Sequence, residues 1–232
     1  MAQEIEKLPG AHAGHHEEGH SPFLQHHFAT MDQQMEAGKL GMWIFLVTEV
    51  LLFGGLFAGY ALMFSRHPEA FHQGHHHLNV TLGVVNTAIL IFSSLTMALG
   101  VRAAQTSNKS ALVKYLIITF ACACGFLIVK FFEYSHKIHE GLLPGTNYSY
   151  VNPTGEPSDP FIGTYFSFYF MMTGLHGLHV IAGMSAIAYV LWRAIKGHFD
   201  SEYNAPVEIT GLYWHLVDLI WIYLFPLLYL VR

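Results

Sequence analysis

Seven ionisable side chains stand inside long apolar runs of this sequence: Glu49, Lys130, Glu133, His176, His179, His215 and Asp218. Charge at bilayer depth is costly, so such groups face protein or water and are candidates for function. A carboxyl in a dry site can give and take a proton, which suits a relay. The same carboxyl can also be hydrogen-bonded and simply tie two helices together. Histidines at that depth can hold haem or metal, or can donate hydrogen bonds across a helix interface. A lysine and a carboxylate one helical turn apart form a structural ion pair.

Spacing sorts these readings. In "MMTGLHGLHVIAG", His176, His179 and Gly183 fall at i, i+3 and i+7, near one helix face. Two b-type haems would need histidine pairs on two helices, each pair several turns apart. That pattern is missing, because only His215 stands on another apolar run, so structural hydrogen bonding is favoured over ligation for His176 and His179. In "YWHLVDLIW", His215 and Asp218 are three apart. They can pair with each other, or His215 can reach a neighbouring helix, with Glu49 or His179 in geometric range. Lys130 and Glu133 share the same spacing, and an ion pair is their expected role. Glu49 lies roughly 13 Å into its run at 1.5 Å per residue. Spacing alone does not separate relay from tie there.

Such residues need membrane helices to hold them. Hydrophobic residues make up 53% of the chain and charged ones 12%, well below the charge of a soluble domain. Five apolar runs are long enough to span a bilayer: about Leu40–Phe64, Leu78–Ala103, Leu112–Tyr134, Phe161–Ile195 and Gly211–Val231. The expected fold is an all-α, polytopic bundle of five transmembrane helices over residues 38–232, preceded by a hydrophilic, His-rich tail, residues 1–37. Lys7, Lys39, Arg102, Lys109, Lys114, Arg193 and Lys196 share the tail's side, against Arg66, Lys137 and Arg232 opposite. The excess places the N-terminus in the cytoplasm and the C-terminus in the periplasm. The tail has no apolar core, so the first span is expected to act as its own insertion signal. "EGLLPGTNYSYVNPTGEPSDP" reads as a surface loop.

Other features say less. A net charge of -5 offers no basic face to nucleic acid. Cys122 and Cys124 are two apart and do not face each other on a helix, so they read as packing residues. Gly54-x-x-x-Ala58 and Gly55-x-x-x-Gly59 would let two backbones approach closely in lipid. The histidines of the tail (His12, His15, His16, His20, His26, His27) and of "RHPEAFHQGHHHL" fall on opposite sides of the membrane. They cannot build one metal site within a chain and read as surface histidines.

Three longer runs carry a resemblance. "FLVTEVLLFGGLF", "TGLHGLHVIAG" and "YWHLVDLIWIYLFPLLYL" closely resemble subunit III of the haem–copper oxidases, the cytochrome c oxidase family. "VVNTAILIFSSLT" and "FFEYSH" match in the same order, so the resemblance covers about Gly38 to Leu230. It implies an accessory membrane subunit of a proton-pumping cytochrome c oxidase in aerobic respiration, in a bacterial cytoplasmic membrane. Such a subunit carries no haem, copper or other redox centre of its own. The haems and the oxygen-reducing site are in subunit I and the electron-accepting copper in subunit II. Subunit III packs on subunit I, binds phospholipid and supports proton uptake. Glu49 matches the family's intramembrane glutamate, the one associated with carbodiimide reaction. His176, His179, His215 and Asp218 match its signature positions, and Glu133 falls in "FFEYSH". Arg193, Lys196 and His198, in "LWRAIKGHF", match a basic stretch suited to lipid phosphate.

One departure follows. Long members have seven helices, and this chain matches the last five. The other wall of their lipid-filled cleft is missing, so either a small partner subunit supplies two helices or the lipid site differs. Alternative readings are a related accessory subunit of a nitric oxide reductase and a stand-alone haem-binding electron carrier using His176, His179 and His215. A solute transporter using Glu49 and Asp218 would want broken helices or paired halves, and neither is evident.

Overall fold

The computed structural model describes residues 25–144 and 160–230. They form α1 (Met31–Arg66), α2 (Pro68–His75), α3 (Val80–Gln105), α4 (Lys109–His139), α5 (Ile162–Ile195) and α6 (Ala205–Tyr229). All but α2 are long and apolar enough to cross a membrane. The described residues are thus the expected all-α, five-span bundle, with one short helix added. The Gly- and Pro-rich connection at residues 145–159 and the histidines at 12, 15, 16 and 20 lie outside the described residues.

Local chemistry explains where the ends move. α1 starts well before Leu40 because Thr30 is a good N-cap: its hydroxyl accepts from the Gln33 amide at 3.2 Å, and the Gln33 side chain accepts from Ala29 at 2.9 Å. The expected division between residues 37 and 38 therefore falls inside α1. α2 begins on Pro68, whose fixed φ and missing N–H suit a first helical turn. Asn79 and Asn108 cap α3 and α4 through their side chains. The chain leaves α5 past its C-cap Lys196 through Gly197 at φ 78°, whose N–H donates to Ala194 while that of His198 donates to Arg193, the paired bonds that a left-handed residue allows. At the far end of α6 the carbonyls of Leu227 and Leu228 have no helical partner among the described residues. The hydroxyls of Tyr60 and Tyr165 donate to them at 2.7 and 2.8 Å.

α3, α4, α5 and α6 close a ring in which each packs on two neighbours. α1 leans on α6 and touches α5; α2 packs on α5 and α1. Lipid is as apolar as leucine, so packing and hydrogen bonds must hold such a bundle. The α3–α6 seam supplies them. Trp214 donates its indole N–H to Ser93 at 2.9 Å, and Trp221, seven residues on, donates to Thr87 at 3.0 Å. Thr96 and Thr119 bond α3 to α4 at 2.8 Å. α1 is held by a narrow stripe: only Leu46, Phe53 and Tyr60 are buried, seven apart. Glu49 falls on that stripe, one turn from both Leu46 and Phe53. Of the small-residue pairs of α1, only Gly59 packs on another helix among the described residues. A Cβ at Gly54 or Gly55 would meet nothing within 4 Å, while one at Gly59 would touch Phe168 at 3.4 Å.

Candidate functional site at the junction of α1, α5 and α6

The stripe on α1 aims Glu49 at α5. Its Oε2 lies 2.7 Å from Nε2 of His179, with both side chains largely covered. The other ring nitrogen, Nδ1, is 2.8 Å from the Leu175 carbonyl. A carbonyl only accepts, so Nδ1 carries a hydrogen. Nε2 then either accepts from a carboxylic acid or donates to a carboxylate. The pair holds one transferable proton, and its net charge is zero wherever that proton sits. Tyr213 of α6 donates its hydroxyl to the His179 carbonyl at 3.1 Å, and Phe53 sets a ring edge against the imidazole.

His215 joins neither of them. Its Nδ1 is 2.7 Å from the Ser94 hydroxyl on α3. The Asp218 carboxyl, on the same helix as His215, is buried, and its Oδ1 has no hydrogen-bond partner among the described residues. Of the two partners that spacing allows His215, Asp218 or a group on a neighbouring helix, it takes the second, Ser94 of α3. Ser94 was legible only as one hydroxyl in "FSSLT". His176 departs from the expected hydrogen-bonding role. Both ring nitrogens are buried and unbonded among the described residues, and the ring packs against Phe126 and Trp221. Its neighbours on the facing helices are aromatic, so packing replaces polar contact.

Lys130 and Glu133 form the expected ion pair at 2.9 Å, deeply buried on α4. It is larger than a pair. Tyr169 and Tyr229 donate to Glu133 Oε1, Lys130 donates to the Tyr229 oxygen at 2.6 Å, and its ammonium lies 4.5 Å from the Trp221 ring centre. The two tyrosines come from runs that read only as apolar. At the tail-side end of α5, the Arg193 guanidinium sits among the rings of Tyr189, Phe199 and Tyr203. Lys196 lies 3.7 Å over Trp192, and His198 Nδ1 faces the Arg193 carbonyl at 3.3 Å. Cations among interfacial aromatics are what a headgroup layer requires. Around α2, His67 stacks on Phe161 and His77 packs on Phe166, so these histidines are partly built into the fold. Among the described residues no group of three or more His, Cys, Asp or Glu is placed to hold a metal ion.

A family model described as cytochrome c oxidase subunit III matches residues 18–231. The chain belongs to that family. The match reaches further into the tail than the motifs, which begin near Gly38. The chain is 35% identical over 224 residues to cytochrome c oxidase subunit 3 of Synechocystis, covering 96% of this chain and 81% of the relative. It is 34% identical over 193 residues to the subunit 3 of Thermostichus vulcanus, covering 83% and 86%. It is 29% identical over 211 residues to quinol oxidase subunit 3 of Bacillus spizizenii, covering 88% and 93%. As a subunit III, the protein is a multi-pass membrane component of an oxidase complex. Glu49, His179, Ser94, His215 and Asp218 lie within the matched region.

Proposed function

We propose that this subunit III is a non-catalytic accessory subunit of a proton-pumping haem–copper oxidase in a bacterial cytoplasmic membrane. It stabilises the oxygen-reducing subunit I, binds phospholipid and supports proton uptake, with its N-terminus cytoplasmic. Haem and copper belong to subunits I and II. The basic charge excess on the tail side supports the orientation. Arg193, Lys196 and His198 would hold a phospholipid headgroup, the cations facing its phosphate.

The single observation behind the proton role is the Glu49–His179 pair at 2.7 Å. Moving its proton from carboxyl to imidazole changes neither the net charge nor the hydrogen-bond count. The pair can therefore hold a proton near the membrane interior without an isolated charge. Glu49→Gln tests this. The amide keeps the shape and can still donate to Nε2, but it cannot release a proton to it. Proton-uptake kinetics of the intact oxidase are expected to slow in this variant while assembly is preserved. Unchanged kinetics would leave Glu49 as a tie between α1 and α5. Mass spectrometry of the native complex tests the rest, by identifying the largest subunit and the retained phospholipid. Arg193→Gln with Lys196→Gln is expected to lower that phospholipid.

A further inference from the structure

Two cavities open where α1 lies beside α6, apart from the Glu49–His179 contact with α5. The first, about 430 Å³, is formed by α1, α3 and α6, and the second, about 290 Å³, by α1 and α6. On α1 their linings include Lys39, Trp43, Val50, Gly54 and Phe57, spaced four, seven, four and three apart, which is one helix face. On α6 Glu208, Leu212, His215, Leu219 and Tyr223 follow at four, three, four and four. The two cavities are therefore successive parts of one groove running inward from the tail side. At its mouth Glu208 is shared: Lys39 Nζ lies 2.7 Å from Oε2, and Gln105 Nε2 donates to Oε1 at 2.6 Å. Lys39 and Glu208 are the charged groups among the described lining residues, so the mouth holds one positive and one negative charge at the same depth. His215, with Nδ1 2.7 Å from Ser94, lines the groove about 10 Å deeper than Glu208 at helical rise. Beyond it the described lining is apolar as far as Tyr223, and a Cβ at Gly54 would meet nothing within 4 Å.

We infer that this groove holds a zwitterionic aminophospholipid of the tail-side leaflet, with its headgroup on Lys39 and Glu208 and an acyl chain laid along α1 and α6. Length fits one leaflet. Glu208 to Tyr223 spans about 22 Å at 1.5 Å per residue, and half a bilayer with its headgroups is about 20–22 Å. Polarity falls in the same order as in a lipid: a hydrogen-bonded ion pair at headgroup depth, His215 at the depth of the ester linkages, and apolar walls beyond. Trp43 near the mouth is the amphipathic ring that suits a membrane interface. Charge selects the headgroup. An anionic headgroup would answer Lys39 but set its phosphate against the Glu208 carboxylate. A zwitterionic one brings phosphate to Lys39 and ammonium to Glu208, so each charge meets its opposite. The occupant also supplies packing that α1 lacks, since Leu46, Phe53 and Tyr60 are its buried residues. The site is separate from the headgroup contact proposed for Arg193, Lys196 and His198, whose cations suit an anionic lipid.

The intact oxidase complex tests the site in nanodiscs holding equal amounts of phosphatidylethanolamine and phosphatidylglycerol with matched chains. Benzoylphenylalanine in place of Leu219 is photolysed, and its adducts are identified by mass spectrometry. Phosphatidylethanolamine adducts are expected to exceed phosphatidylglycerol adducts about threefold, the size of one exposed ion-pair contact. The same probe in place of Leu51, which is 70% exposed and outside the groove, should return the bulk ratio. Glu208→Gln removes the carboxylate that answers the ammonium and should reverse the preference at Leu219. Gly54→Leu fills the groove and should bring it to the bulk ratio. Arg193→Gln with Lys196→Gln should leave it unchanged, so failure of the headgroup contact proposed there does not touch this result. The bulk ratio at Leu219 in the parent would overturn the inference. So would a preference that neither Glu208→Gln nor Gly54→Leu moves. Adducts to a partner polypeptide at Leu219 would overturn it as well, because the groove would then be a protein contact.

Discussion

Gly183 on α5 lies so close against Trp214 on α6 that a Cβ there would stand 2.8 Å from Cε3 of the indole. The indole cannot easily retreat, because its N–H is held by Ser93 on α3 at 2.9 Å. The added methyl would also meet Tyr213, whose hydroxyl holds the His179 carbonyl. Gly183→Ala is therefore an overpacking change, expected to cost about 1–3 kcal/mol. Thermal melting of the purified complex should show a lower midpoint. Gly177→Ala, where a Cβ meets nothing within 4 Å in this chain, is the comparison and should melt near the parent.

Tyr60 and Tyr165 reach the last turn of α6 from α1 and α5. Phenylalanine at either position keeps the ring but leaves a terminal carbonyl without its donor. Each change is expected to cost about 1 kcal/mol. Tyr60→Phe acts on a helix held by only three buried residues. Hydrogen–deuterium exchange should therefore rise mainly in α1 for Tyr60→Phe, and at the C-terminal turn of α6 for both variants.

The five spans are legible in the sequence because hydropathy is a property of one segment at a time. So is the Lys130–Glu133 pair, since three residues on a helix fix the neighbour. Tertiary partners are different in kind. Spacing shows that His179 and His215 face inward but not which helix each one meets. By position His215 is within reach of Glu49 or His179, and the packing of α1 on α5 and α6 gives Glu49 to His179 and leaves His215 to Ser94. His176 reads like His179 by spacing, yet it faces Phe126 and Trp221 and has no hydrogen-bond partner among the described residues. Ser94, Tyr169 and Tyr229 complete polar clusters from within runs whose only sequence signal is apolarity. α2 is short, and its apolar pattern is too brief to register beside the histidines around it.

His77 lies beyond α2, outside the spans. Partial burial lowers its pKa from 6.5, and the nearby Lys137 charge lowers it further. The unfolded segment thus binds a proton more readily than the folded one. Stability is present above pH 6.5 and is lost as pH falls from there toward the folded value. His77→Gln removes this titration. Hydrogen–deuterium exchange of α2 and the turn after it, compared at matched pH, should be faster in the parent than in the variant under mildly acidic conditions. The two should converge at neutral and alkaline pH.

The Lys130–Glu133 cluster makes the sharpest stability prediction. Side-chain exposures of 10% and 2% mean that neither charge is screened by water. Lys130→Met would leave the Glu133 carboxylate with two tyrosine donors and no counter-charge. Breaking a buried pair on one side costs about 3–5 kcal/mol, whereas replacing both partners by groups of similar shape is often near neutral. The single variant should therefore assemble poorly. Lys130→Met with Glu133→Gln should recover assembly, since the glutamine oxygen still accepts from Tyr169 and Tyr229. The yield of intact complex after mild detergent extraction reads both. Equal losses in the single and double variants would mean that charge balance is not what the cluster supplies. Its worth would then lie in the specific tyrosine and tryptophan contacts that tie α4 to α5 and α6.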